Sequence, residues 1–281
     1  MSARSDQPGR LVICPTPIGN LEDVTLRVLS ALREADVIAC EDTRRTRTLL
    51  DRYGVTARLI SYQEHNERAR SRELVERMRS GDVVALVSDA GMPLVSDPGF
   101  VLVRACVAAG LAVEVLPGPS AVLAALVASG LPADHWRFVG FLPRKRAALA
   151  ASLDAPETVV AFESPARVPA TLAALAERDP ERRVAVCREL TKVHEQVLRG
   201  TARELADHTR DAPPRGEVVL VVGAAKGERG AAEVERATAA VRRLVEAGAK
   251  PRRAAAVVAE LTGVPANRLY GAVSAASRRG P

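Results

Sequence analysis

The stretch ALVSDAGMPLVSDPG, residues Ala85 to Gly99, decides the fold. Val83 to Val87 form an unbroken apolar run, as expected of a central parallel strand buried on both faces. The chemistry then changes. Ser88, Asp89, Gly91 and Pro93 are small, polar or turn-forming residues. Asp97 is expected to cap, and Pro98 to open, a helix running from Phe100 to Ala109. Strand, loop, helix is the arrangement in which open α/β sheets hold ligands at strand carboxyl ends. Such loops usually have about 2–6 residues. This one extends from Ser88 to Asp97 and carries two carboxylates, so it reads as functional.

Working outward, the N-terminal side repeats the unit. Leu11 to Cys14 reads as a strand, followed by the rigid turn Pro15-Thr16-Pro17-Ile18-Gly19-Asn20. Asp23 is expected to cap a helix from Val24 to Ala35, with Leu26, Leu29 and Leu32 on its inner face. The loop lacks GxGxxG, which disfavours a nicotinamide-binding domain. Val37 to Cys40 is a second strand ending in Glu41-Asp42-Thr43-Arg44, with a helix to Tyr53. Arg58 to Tyr62 is a third, followed by the polar loop Glu64-His65-Asn66-Glu67 and a helix from Arg68 to Met78. After the Phe100 helix, Ala112 to Leu116 is a strand that stops at Pro117-Gly118-Pro119-Ser120. Ser120 is expected to cap a wholly apolar helix, Ala121 to Ala128, buried on all sides. Repeated βα units imply a mostly parallel sheet.

A second α/β unit follows. Strands are expected at Trp136 to Val139, Thr158 to Phe162 and Arg183 to Cys187, with a helix at Val168 to Ala176. Gln196 to Thr201 and Glu217 to Val222 read as antiparallel strands. Gly223 to Gly230 is linker-like, and the remaining periodicity is helical: Val234 to Ala247, Pro251 to Leu261 and Pro265 to Ser277. The last two resemble a helix-turn-helix. The expected domains are therefore 10–117 and 118–224, both α/β, a linker at 225–232, and a basic helical domain at 233–281. Pro17/Gly19, Glu41/Asp42, Ser88/Asp89, Gly118/Ser120, Glu163/Ser164 and Glu189/Thr191 all lie just past strand ends and can converge on one cleft.

Composition narrows the chemistry. The 281 residues are 47% hydrophobic but only 3% aromatic, so Ala, Val and Leu must fill the cores. Residues 225–281 hold 11 Lys/Arg against 5 Asp/Glu, which accounts for the whole net charge of +6 and favours a polyanionic partner. Cys14, Cys40, Cys106 and Cys187 each sit in an apolar segment, and the four histidines are equally scattered, so buried thiols and no metal site are expected. The start has no signal-peptide pattern and no run is long enough to span a bilayer, which suggests a cytoplasmic protein without membrane attachment. A phosphate loop, a nucleophile elbow and a Cys–His pair are all missing, which removes support for phosphoryl and acyl transfer. What remains is a cleft of Gly/Pro/Ser turns with carboxylates, suited to a cofactor that brings its own leaving group.

The motifs PTPIGNLEDVTLR, EDTRRTRTLL, EHNE, ALVSDAGMPLVSDPG, LPGPSAVLAAL, SGLP, GFLPRK, FESPAR, RELTK and GEVVLVV, in order over about residues 10–224, resemble the ribosomal RNA small subunit methyltransferase I family. That family belongs to the tetrapyrrole methylase superfamily of class III S-adenosylmethionine methyltransferases. Its members 2′-O-methylate a cytidine of 16S rRNA in the decoding centre.

The resemblance implies two αβα domains with S-adenosylmethionine held between them, a small helical C-terminal domain, and a homodimer acting on 16S rRNA or the 30S subunit. Matched position by position, the cofactor residues are Pro17, Gly19, Ser88, Asp89, Ala90, Gly91, Met92, Ser120, Ala121, Phe162, Leu190 and Gly216. Candidate bases are Glu41 and Asp42, with Glu163 and Glu189 behind them. Arg44, Arg47, Lys145, Arg167 and Lys192 are candidates to hold RNA phosphates. The chain departs from the family pattern at Ala166 and Arg45, where His is common, and at Phe162, where Tyr is frequent. Two other functions fit the same motifs less well: a tetrapyrrole or other small-molecule methyltransferase, and a non-catalytic ribosome-assembly protein that binds RNA.

Overall fold

A computed structural model of the chain describes residues 9–225, 229–262 and 264–277. The first unit runs β1 (Arg10–Ile13), α1 (Leu26–Glu34), β2 (Val37–Cys40), α2 (Thr43–Arg52), β3 (Leu59–Ser61), α3 (Glu67–Arg79), β4 (Val84–Leu86), α4 (Phe100–Ala108) and β5 (Ala112–Val115). Its sheet is wholly parallel in the order β3-β2-β4-β1-β5, so the central apolar run does lie mid-sheet. Leu74, Met78, Leu102 and Cys106 cover one face and Val28, Leu32 and Leu50 the other.

The second unit runs α5 (Ala121–Ser129), β6 (Trp136–Phe141), α6 (Arg146–Leu153), β7 (Thr158–Glu163), α7 (Val168–Arg178), β8 (Arg183–Arg188), β9 (Gln196–Thr201), α8 (Ala202–Asp211) and β10 (Val218–Val222). The sheet order is β6-β7-β10-β8-β9, and only β6 and β7 pair in parallel. The all-buried strand VVLVV of β10 takes the centre. Helices α6, α7 and α8 cover one face. The other is covered by Val122, Ala125 and Leu126 of α5 and by Ile18 and Val95 from loops of the first unit. The two sheets are thus fused through apolar loop residues, and the carboxyl ends of the first face the second.

Helices α9 (Arg229–Glu246), α10 (Pro251–Thr262) and α11 (Ala266–Ser277) follow and pack on one another around Val241, Ala255, Val258 and Leu269. Gly263, in the break between the last two, and residues 226–228 of the linker lie outside the described residues.

Four expectations are corrected. Asp23 lies in a 3-10 turn, and Thr25 caps α1 by accepting from the Val28 amide at 3.2 Å. Leu26 is 82% exposed, and Val28 takes its place on the inner face. Ser120 does cap α5, but that helix has an open face, with Val127 80% and Leu123 51% exposed. Asp97 does not cap α4. Gly99 does, at φ +138°, where a Cβ would lie 2.7 Å from Leu94 Cδ1. Helices α6 and α8 were not expected at all.

Candidate functional site

Three loops of the first unit are stitched together before any ligand is considered. Thr16 and Gly91 exchange both backbone hydrogen bonds at 2.9 Å, and the Thr16 hydroxyl donates to the Ser88 carbonyl. The Ser88 hydroxyl donates to the Gly91 carbonyl at 3.0 Å. Gly91 sits at φ +83°, with an added Cβ only 3.2 Å from Ile18 Cγ2. The EHNE loop supplies the outer brace. Glu67 Oε1 accepts from the amides of Gly99 (2.8 Å) and Val101 (3.3 Å) and from the buried Tyr62 hydroxyl. A carboxylate at the amino end of α4 satisfies amides that the helix leaves unpaired.

Between the two sheets lies a cleft of about 370 Å³, within the range of small-molecule sites. Ala90, Ala121, Phe162, Leu190 and Gly216, all candidates from the sequence, line it. Phe141 lines it too, tilted against Phe162 with ring centroids 5.4 Å apart. At Gly216 a side chain would run into the Glu189 carboxylate, so main chain is exposed to the cleft where a Cβ cannot fit. Its titratable lining is Asp97, Glu163, Glu217 and Cys187; no Lys, Arg or His lines it among the described residues. A larger hollow, about 500 Å³ between α6 and α7, gathers none of the candidate residues. Left-handed φ values at Leu94 and Ser96 in one loop, and at Glu189 and Thr191 in the loop opposite, put the backbone strain of the non-glycine residues at this site.

The carboxylates differ sharply in what surrounds them. Asp42 caps α2, accepting from the Arg44 amide at 2.8 Å, and pairs with the Arg44 guanidinium at 2.9 Å. These contacts hold its carboxyl down at about 2. Asp89 accepts from the Asp42 amide (3.0 Å) and faces Arg45 at 3.6 Å. Glu41 has its carboxyl raised by burial and by Asp89. Asp97 is raised to about 6, by burial first, then by Glu41 and Asp89, against the opposing hydrogen bond of Ser88. Glu163 is buried and held by Thr171 (2.7 Å), the Ser164 amide and Arg167. Glu189 lies below its ordinary range because the Glu217 amide and Lys192 both donate to it.

The structure therefore divides the candidates. Ser88, Asp89 and Gly91 shape the loop that borders the cleft. Met92 is partly buried against the core of the first sheet, not in the cleft lining. Pro17 is buried in the stitched loop, and Ser120 is spent on its cap. Gly19 belongs to a separate shallow concavity with Glu189 and Lys192, where the Asn20 amide donates to Thr191 Oγ1 across the two units. Arg167 donates to the carbonyls of Leu142 and Pro143, and Lys192 bridges Glu189 and Glu217 at 2.9 and 3.0 Å, so both cations are engaged internally. Burial pulls the Lys192 ammonium down, but those hydrogen bonds outweigh it and leave it above its ordinary value. Arg44, Arg47 and Lys145 are exposed; of these only Arg44 has an ion pair among the described residues. Asp97 and Phe141 were missed as site residues. Asp97 read as a cap because Asp-Pro before a helix has that meaning, and Phe141 stood in a segment read as past the strand end.

All four cysteines are buried and free. The described residues contain no group of three His, Cys, Asp or Glu able to hold a metal, and no helix long and apolar enough to cross a membrane.

A family model for tetrapyrrole (corrin/porphyrin) methylases matches residues 10–206. A protein named ribosomal RNA small subunit methyltransferase I from Mesorhizobium japonicum is 45% identical over 275 residues, covering 95% of this chain and 92% of its own. The protein of the same name from Escherichia coli O157:H7 is 42% identical over 271 residues, 93% of each chain. Among solved structures, uroporphyrin-III-C-methyltransferase from Thermus thermophilus superposes with a TM-score of 0.54 at 27% identity, over 76% of this chain and 94% of its own. Diphthine synthase shares the fold with a TM-score of 0.60 at 18% identity, over 77% of this chain and 90% of its own.

Proposed function

The chain belongs to the ribosomal RNA small subunit methyltransferase I family of the tetrapyrrole methylases, and on that premise we propose that it methylates the ribose 2′-oxygen of a cytidine in the decoding centre of 16S rRNA. S-adenosylmethionine is the methyl donor in this reading. The observation that carries it is a glycine-backed, acid-lined cleft between two sheets, bordered by exposed arginines on α2.

When bound, S-adenosylmethionine supplies an electrophilic methyl group on a sulfonium leaving group, so the protein need form no covalent bond. The cleft fits such a molecule in volume and in the glycine main chain at Gly216 that lines it. Ala90, Ala121, Phe162, Leu190 and Gly216 would hold it, with Ser88, Asp89 and Gly91 shaping the loop at its border. The chain's own tasks are to place the ribose oxygen and to accept its proton. Glu41 is the better acceptor of the adjacent pair. Its carboxyl is raised, whereas Asp42 is held at about 2 by Arg44. Arg47 and Lys145, exposed and without ion pairs among the described residues, are assigned to phosphates of the RNA, with Arg44 beside them. Arg167 and Lys192 are assigned to holding their own loops.

Val115 on edge strand β5 and Leu123 and Val127 on α5 leave apolar surface exposed, which supports a homodimer. Action on ribosomal RNA supports a cytoplasmic location. The test offers methyl-labelled S-adenosylmethionine with naked 16S rRNA, with small subunits and with a porphyrinoid. Label is expected in RNA of one of the first two. Label in the porphyrinoid alone would favour a small-molecule enzyme, and RNA binding without transfer would favour an assembly protein.

A further inference from the structure

Asp97 differs from the other carboxylates at the cleft in having nothing positive beside it. Across the cleft, Glu163 on β7 is held by Thr171, Ser164 and Arg167, and Glu217 before β10 by Lys192. Past β4, Asp89 has the Asp42 amide and Arg45 of α2. Asp97 has no ion pair among the described residues, and the nearby Ser88 hydroxyl, which lowers its carboxyl somewhat, donates its proton to the Gly91 carbonyl. The groups bearing on it are the carboxylates of Glu41 and Asp89. Cys187 on β8, the remaining titratable group of the lining, is neutral, its thiol pushed up to about 11 by burial. A half-buried carboxyl in a cleft without a lysine, arginine or histidine is uncompensated until a ligand brings positive charge.

We propose that Asp97 is the counter-charge for the cofactor, so that binding of S-adenosylmethionine places a cationic centre against its carboxylate and drives off its proton. The proposal rests on the methyltransferase reading and adds to it a charge-selective, proton-linked step of cofactor uptake. The sign follows from linkage. In the free protein Asp97 takes up its proton at about 6. A cation binds the ionised form better, so affinity is full above pH 6 and falls as pH drops below it. If the bound carboxyl titrates below about pH 4, the Kd rises about tenfold between pH 7 and pH 5. The amino group of the cofactor titrates near 7.7–8.0 in ordinary α-amines, outside this window.

The test is calorimetric titration of the full chain with S-adenosylmethionine and with S-adenosylhomocysteine at pH 5, 6 and 7. It is run in two buffers of different ionisation enthalpy. For the wild type, the Kd for S-adenosylmethionine should rise about tenfold towards pH 5, with about half a proton released per molecule bound at pH 6. Asp97→Asn should bind S-adenosylmethionine about tenfold more weakly at pH 7, with no slope and no proton release. S-adenosylhomocysteine shares the ammonium but lacks the sulfonium. A pH slope for it assigns the contact to the ammonium, and a flat response to the sulfonium. Proton release by the wild type is read without any variant, so misfolding of Asp97→Asn would not shield the proposal. Wild-type binding that is flat from pH 5 to 7, or an Asp97→Asn variant that binds as the wild type, would overturn it. An Asp97→Asn variant with unchanged affinity but lost methyl transfer would overturn it in favour of a proton acceptor. A wild type that binds no S-adenosylmethionine at any pH would instead remove the methyltransferase reading on which the proposal stands.

Discussion

Gly91 shows how a single residue ties local geometry to the cleft. Its backbone closes the bridge to Thr16 at φ +83°, and an added Cβ would sit 3.2 Å from Ile18 Cγ2 and 3.6 Å from the Pro119 carbonyl. A β-branched residue at that φ costs about 1–2 kcal/mol before any crowding. Gly91→Val should therefore weaken S-adenosylmethionine binding at least tenfold in a folded protein; calorimetric affinity equal to wild type would refute this. Glu67 is the second decisive residue. Glu67→Ala leaves the Gly99 and Val101 amides without their acceptor, while the Tyr62 hydroxyl keeps Ser71 Oγ at 3.0 Å. Each unmade bond of this kind costs about 1–3 kcal/mol, so a lower Tm and a weaker cofactor affinity should appear together. Gly91 was legible in the sequence because a glycine in a polar loop past a buried strand implies close backbone approach. Glu67 was visible only as part of a motif, because its partner amides lie 32 and 34 residues away. Asp97 was misread because local cap chemistry competes with a cleft that only tertiary packing creates.

At the scale of elements, α2 divides its charges between structure and solvent. Asp42 starts the helix and fixes Arg44, while Arg47 points out unpaired among the described residues. Arg47→Ala should raise the KM for RNA with cofactor affinity intact, and Arg44→Ala should act in part by releasing Asp42. Glu41→Gln should lower kcat by roughly a hundredfold, the low end for losing a positioned base, with little change in either affinity. A single-turnover rate near wild type would remove Glu41 as the proton acceptor. The depressed carboxyl of Asp42 also sets a pH window. Its contribution to folding is present above the ordinary carboxylate range and is lost as pH falls through about 2. Acid titration following α2 should show that helix start surviving at pH 3. Most elements were readable from periodicity, and two were not. α8 carries a capping box, Thr201 to Glu204, with both hydrogen bonds formed, yet it follows a strand directly without a turn signal. α6 has only Leu149 and Leu153 buried, too sparse a stripe for a helical period to stand out.

Over the whole molecule, charge and fold are separated. The α/β part is electrically balanced by sequence, and the surplus lies in residues 225–281, which carry the three C-terminal helices. Removal of residues 229–281 should weaken RNA binding and flatten its salt dependence, while cofactor affinity stays as it was. An unchanged salt slope would assign those helices to packing or solubility. The two-sheet plan was open to sequence reading because each βα unit announces itself. The fusion of the sheets was not, since it depends on Ile18 and Val95 reaching strands of the second unit far along the chain. The central claim is methyl transfer to a ribose oxygen of small-subunit RNA. Its most direct test is incubation of small subunits with methyl-labelled S-adenosylmethionine, followed by digestion of the RNA to nucleosides and identification of the labelled species. The expected product is cytidine methylated on the ribose 2′-oxygen, which also blocks alkaline cleavage at the modified nucleotide. Label on a base, or an RNA that stays cleavable at the labelled position, would contradict it.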